Sequence, residues 1–377
     1  MYFSNLNYSM KMMNIIGVHP EKGKSVIQIL LFSMVLTMNL GTSFLIISLF
    51  VKNKDTMALA DITGVFQSIF IIFHGTLKLI TLYIKRSSLL DLLKRSTNVW
   101  DVDEIENEEV IEACIKTIKN LRYFCVFFLI TAILTSSSFV LRPVILEDMV
   151  FNSYVPKNMP VLILDGIQAY VFLVGIFVPT VTFDIFFVSL TILIQVQFKI
   201  LNCQLKEILH NSRHSKHRIP FQAKLKAWIN HHNDLFTFVD KINETVAMTL
   251  LLYFGDVICS MCLELYNMTV QKSLSELLKS VIYIVTELFQ LVVIFSIPSQ
   301  MLTDEAGNTV NSVWLSEWYE TSTSTQFCLK QIMLRSQRPL SISCGKFRVI
   351  DLSTCLATIK TIVSYYMFLR TMGSKNN

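Results

Sequence analysis

Residues 161–198 read VLILDGIQAYVFLVGIFVPTVTFDIFFVSLTILIQVQF, a stretch in which Asp165 and Asp184 are the only charged side chains. A helix rises about 1.5 Å per residue and needs about 20 apolar residues to cross some 30 Å of hydrocarbon. This stretch is longer than that and contains Gly175 and Pro179. It therefore predicts a membrane helix that kinks or runs on into the cytosol. Six more apolar stretches, approximately 25–51, 62–84, 122–142, 245–269, 278–301 and 350–371, are each near the length of one crossing, with Pro298 near the end of the sixth span. All seven are too long and too evenly apolar for barrel strands. A helix also satisfies its own N–H and C=O groups where lipid cannot. The reading is an all-α membrane protein, one seven-helix domain over 1–377.

Composition agrees. Of 377 residues, 52% are hydrophobic and 16% charged, with a mean hydropathy of +0.50. This excludes a disordered chain, a nucleic-acid-binding domain and most soluble enzymes. The net charge of +5 names no partner, and eight cysteines are too few for a disulfide scaffold. The first apolar run, Val26 to Val51, exceeds a signal-peptide core of about 7–15 residues, so the N-terminus is expected to stay on the mature protein.

Lys and Arg set the orientation. With a cytosolic N-terminus, the inner segments hold 23 of them and the outer segments eight, while Lys78 and Lys360 fall within helices. Seven crossings then place the C-terminus outside, opposite to a G-protein-coupled receptor. The inner loops are the longer and more charged, so any folded mass beyond the bilayer is expected on the cytosolic side.

After the sixth span come Trp318-Tyr319, then Ile332-Met333-Leu334-Arg335-Ser336-Gln337-Arg338-Pro339-Leu340, Gly345-Lys346-Phe347, and Leu352 through Lys360-Thr361 to Ser364-Tyr365. In order and spacing this series resembles the insect odorant receptor family, over about residues 310–370. The chain departs from the family at Phe295–Gln300, which lacks a Gly-bearing small-residue pattern, and at Cys344, where Ala is usual. The resemblance implies a ligand-gated, non-selective cation channel in the plasma membrane of olfactory sensory neuron dendrites. It also implies a heterotetramer with the odorant coreceptor (Orco), a pore lined by the last helix, a cytosolic helical anchor, and an odorant pocket in the outer half of the bundle. No cofactor, metal or nucleic acid is implied.

That resemblance gives particular residues their expected roles. An anchor helix is expected at approximately 310–338, with an apolar stripe of Val313, Trp314, Trp318, Phe327, Cys328 and Ile332 and with Arg335 and Gln337 at its end, stopped by Pro339. Tyr365, Phe368 and Met372 share a face of the last helix. The resemblance places Phe368 and Met372 at a hydrophobic gate and Thr371 at a pore-facing position beside it. Arg370 is expected to snorkel outward. Pocket candidates are aromatic or weakly polar residues in outer helix halves: Phe66, Phe70, Phe73, His74, Ser137, Phe139, Gln168, Phe172, Tyr266 and Tyr283. Phe70, Phe73 and His74 are expected to share one face.

Other features receive plainer readings. Lys78 is expected to snorkel, and Lys360 to pair with an acid such as Asp184 or Glu287. Asp184 and Asp256 as an intramembrane aspartyl protease dyad is disfavoured, because Tyr253 replaces the first glycine of a G-x-G-D motif, and no enzyme is expected. His210, His214, His217, His231 and His232 read as a solvated loop rather than a zinc site, Cys259 and Cys262 as buried packing, and Asp101–Glu112 as a solvated acidic helix. Of the sequons at Asn7, Asn243 and Asn267, Asn267 alone would face outward. A gustatory receptor has the same architecture, but the R-S-Q-R-P and G-K-F series favours the olfactory branch. A G-protein-coupled receptor is opposed by the charge bias.

Overall fold

The computed structural model describes residues 2–22, 25–57, 59–100, 107–145, 149–157, 159–214, 218–270 and 274–375. Seven helices among them are long and apolar enough to cross a membrane. In chain order the helices are α1 (Tyr2–Ile15), α2 (Val26–Asn53), α3 (Leu59–Ile84), α4 (Arg86–Ser96), α5 (Glu108–Val140), α6 (Arg142–Ile145), α7 (Val161–Tyr170), α8 (Val178–His214), α9 (Arg218–Val270), α10 (Leu274–Phe289), α11 (Ile297–Trp314), α12 (Thr323–Ser336) and α13 (Leu352–Lys375). A two-residue antiparallel ladder, β1 (Ser343–Cys344) with β2 (Arg348–Val349), precedes α13.

Both prolines inside the long spans leave the same mark. α7 passes into α8 through a π-helical turn, Val171–Phe177, and α10 into α11 through another, Gln290–Ser296. Each turn ends two residues before a proline, Pro179 or Pro298. A proline has no N–H and crowds the carbonyl four residues back, and widening the preceding turn relieves that crowding. The carbonyl Pro179 leaves without its α-helical donor is that of Gly175, and Asn39 of α2 donates to it through Nδ2 at 3.2 Å. A Cβ on Gly175 would lie 2.0 Å from Asn39 Oδ1, so this approach requires glycine.

α9 has 53 residues, about 80 Å at helical rise, far more than a bilayer needs. Its N-terminal part packs with α4, the far part of α8 and, through His232 and Phe236, α12, while α1 and α11 pack on α8, and together they form a second, non-spanning end of the bundle. The N-terminal segment, with no structure assigned from sequence, is the helix α1, whose Leu6 and Met13, with Ile16 just after it, are buried in the main core. Of the histidines read as a solvated loop, His210 is on α8 and His231 and His232 are on α9. His231 stacks on Trp100 (centroids 4.1 Å apart) and reaches Gln197 Oε1 at 3.1 Å, while His232 stacks on Trp228 and contacts Ser336 Oγ at 3.3 Å. The side chains of His214 and His217 and the acidic residues 101–106 lie outside the described residues.

Residues 310–338 are not one helix. α11 ends at Trp314, a 3-10 turn covers Trp318–Glu320, and α12 starts after Ser322. Short hydroxyls compete for the backbone here: Ser316 Oγ donates to Val313 O, Thr321 Oγ1 donates to Trp318 O, and Ser322 Oγ caps Thr325 N. The expected stripe is therefore split. Val313 and Ile332 are buried on separate helices, while Trp314 and Phe327 are exposed. Trp318 packs partly against the core, and Arg335 lies over the Phe236 ring at 4.0 Å. Gln337 caps the end of α12.

The G-K-F series turns the β1–β2 hairpin. Gly345 and Lys346 both have positive φ, at 60° and 62°. A Cβ on Gly345 would also meet Leu251 Cδ2 at 2.6 Å. Asn243 of α9 holds the hairpin down: its Nδ2 donates to Ser341 O and its Oδ1 accepts from Ser343 N, both at 2.9 Å.

Candidate functional site

A cavity of about 60 Å³, counted as space for the centres of water molecules, opens inside the spanning part of the bundle. At roughly 10–15 Å³ each this is room for about five waters, or one small organic molecule. Ile71, Phe128, Ala132, Phe172, Ile176, Phe177 and Val181 supply apolar walls. Thr135, Ser136, Thr180 and Thr286 contribute hydroxyls, and His74, Tyr283, Glu287 and Gln290 form a polar side. Both π turns face it, through Phe172, Ile176 and Phe177 from the first and Gln290 from the second, so the proline-induced widening shapes the cavity directly.

Behind the polar side lies a buried charge network. Lys78 Nζ sits 2.7 Å from Asp184 Oδ1, and Gln290 Nε2 donates to the other oxygen of Asp184. Lys78 also lies over the rings of Tyr253, Phe183 and Phe295 at 5.0–5.6 Å. His74 Nδ1 is 3.4 Å from Asp256 Oδ2. Lys78 is fully buried and does not snorkel; the reason is Asp184, which holds its ammonium inside the bundle. Lys360 is exposed and pairs with neither Asp184 nor Glu287. Asp184 and Asp256 each have their own basic partner, which is not the arrangement of two carboxyls sharing a proton.

The sequence-derived pocket residues divide into three groups. His74, Phe172 and Tyr283 line the cavity. Phe139 stacks behind Phe172 at 4.8 Å, and Tyr266 is buried elsewhere in the bundle. Gln168 is a clamp: its Oε1 accepts from Phe151 N and its Nε2 donates to Ser153 Oγ, both at 2.8 Å, which seats Phe151 against Phe172. Phe66 and Phe73 point out of the bundle, 40% and 42% exposed, so Phe73 does not share a buried face with His74. Phe70 is half-buried, and half-buried Ser137 bonds back to Ile133 O at 2.6 Å. Sequence reasoning missed Phe128, Thr135, Ser136, Thr286 and Gln290. The run Thr135-Ser136-Ser137-Ser138 marked polarity but not which hydroxyl turns inward, and the two prolines marked the distorted turns.

On α13, Tyr365, Phe368 and Met372 are 55%, 61% and 50% exposed on the lone chain, as are Arg370 and Thr371, whose Oγ1 bonds to Met367 O. Asn267 is buried, accepting from Thr63 Oγ1 at 2.6 Å and donating to Gln67 Oε1 at 3.3 Å, which leaves its sequon no room for a glycan. All eight cysteines are free; Cys262 is buried but Cys259 is exposed, contrary to the packing role read for it.

A bundle of seven helices long and apolar enough to cross a membrane, around a small, mostly apolar cavity, is the fold of a multi-pass membrane protein with an internal binding space. The chain matches the 7tm Odorant receptor family over residues 58–363 and belongs to it. Similar proteins include the odorant receptor coreceptor of Aedes aegypti, 25% identical over 160 residues, covering 42% of this chain and 33% of the relative. Odorant receptor 67c of Drosophila melanogaster is 22% identical over 193 residues, 51% of this chain and 46% of the relative. The matched stretch thus spans between a third and a half of these relatives. The fold is that of the insect olfactory receptor OR5 from Machilis hrabei, solved in complex with eugenol: the TM-score is 0.83 at 14% identity, covering 98% of this chain and 99% of the other.

Proposed function

We propose that this chain is the odorant-binding subunit of a ligand-gated, non-selective cation channel, assembled with the odorant coreceptor in the plasma membrane of olfactory neurons and tuned to small volatile molecules. The observation that carries the reading is the cavity between α3, α5, α8 and α10, apolar on most sides, in a fold shared with a receptor solved with eugenol. Burial of apolar ligand surface supplies the affinity, and the few polar groups orient the ligand. Tyr365, Phe368, Thr371 and Met372 line the pore in this reading. Their exposure on the lone chain suits a face that meets other subunits around a central axis. The non-spanning end of the bundle, with Trp314, Trp318, Ile332, Arg335 and Gln337, is the cytosolic anchor, which matches the bias of Lys and Arg toward that side.

The test starts with topology. Tags on both termini are stained before and after permeabilisation of intact cells, and the expected result is a hidden N-terminus with an exposed C-terminus. Odour-evoked currents are then recorded with and without the coreceptor. An exposed N-terminus, or currents that never depend on this chain's cavity residues, refutes the reading.

A further inference from the structure

The cavity's polar side and the network behind it hold three acids, Asp184, Asp256 and Glu287, against Lys78 and His74, and the acid that lines the cavity is the one without a direct partner. Asp184 is bonded by Lys78 and Gln290, and Asp256 faces His74. Glu287 lines the cavity at 8% exposure, and its buried Oε2 has no hydrogen-bond partner among the described residues. His74, 6% exposed and also lining the cavity, has an equally unpartnered Nε2. Where Nδ1 carries its proton toward an ionised Asp256, Nε2 is an acceptor. The polar side therefore offers two acceptors, one on a carboxyl whose only electrostatic support among the described residues, Lys78, is bonded 2.7 Å away to a different acid. A buried carboxylate without a counter-charge is expensive, and so is a buried acceptor without a donor.

We propose that the ligand of this cavity is a small primary amine. Its ammonium binds between Glu287 and His74 Nε2, and its apolar body lies against Phe128 and Phe172. An ammonium brings three donors and the missing positive charge, whereas an alcohol brings one donor and no charge, and an ester or ketone brings acceptors alone. The inference rests on the reading of this cavity as the odorant site.

The test compares two molecules of nearly the same shape, 2-phenylethylamine and 2-phenylethanol. Binding of each to the purified full chain in nanodiscs is measured by calorimetry at neutral pH. The amine is expected to bind about ten- to a hundredfold more tightly, the range of a charge-assisted hydrogen bond. Glu287→Gln, which keeps the shape and removes the charge, is expected to erase that difference. Should the variant fail to fold, the wild-type comparison still decides. An alcohol that binds as well as the amine, or an amine that does not bind, overturns the inference. Currents recorded in cells with the coreceptor separate the two claims. Responses to other volatiles without amine preference refute the amine and leave the channel reading in place. Amine-selective binding without current refutes the channel reading and leaves the amine.

Discussion

Replacing Lys78 by Met removes an ammonium that lies 2.7 Å from Asp184 Oδ1, in a site where both side chains are 1% exposed or less, and keeps an unbranched stem of similar length. Asp184 then retains the Gln290 amide as a donor but no counter-charge. Breaking one side of a buried ion pair costs about 3–5 kcal/mol, because the charge left behind is uncompensated. Removing both sides, in Lys78→Met/Asp184→Leu, leaves neither member of the pair uncompensated. The residual cost is that of the Gln290 amide losing its acceptor, about 1–3 kcal/mol. The expected order of stability is therefore wild type, then the double variant, then the single one. The assay is thermal unfolding of detergent-purified protein with a thiol-reactive dye. It suits this chain because Cys114, Cys125, Cys203, Cys262, Cys344 and Cys355 are buried free thiols that become reactive on unfolding. A single variant as stable as wild type, or a double variant no better than the single, would refute a buried ion pair at this position.

Gly175→Ala puts a Cβ 2.0 Å from Asn39 Oδ1, so it is expected to lower the melting temperature, and Asn39→Ala in the same chain should recover part of the loss. If Gly175→Ala melts like wild type, the Asn39 cap on the π turn is wrong. Asn243→Ala deletes both hydrogen bonds that seat the β1–β2 hairpin and is expected to cost about 1–3 kcal/mol, with faster amide exchange confined to residues around 340–350. Phe73→Ala, on the outward face of α3, should leave ligand dose–response curves in place. Phe172→Ala, in the cavity wall, should shift them about tenfold or more; the opposite pattern would move the binding site elsewhere.

Hydropathy by itself determined the seven crossings and their approximate places. The bilayer accepts backbone only in closed hydrogen-bonded form, so the length of an apolar run is a physical requirement that can be read without a structure. Lys and Arg placement gave an expected orientation for the same kind of reason, and the motifs after the sixth span pointed to the family. The rotation of each helix about its axis was beyond this reading. Phe73 and His74 are neighbours in sequence, yet one faces out and the other lines the cavity, because a helix that is apolar all round carries no stripe to tell lipid from bundle. Pro179 and Pro298 announced a distortion, but the Asn39 amide and Gly175 are what hold the first as a π turn. Lys78 looked like a snorkelling lysine until α8 brought Asp184 beside it, 106 residues away in sequence. Crossings follow from local composition, whereas the partners of buried polar groups follow from which helices pack together, and that was decided by the tertiary structure.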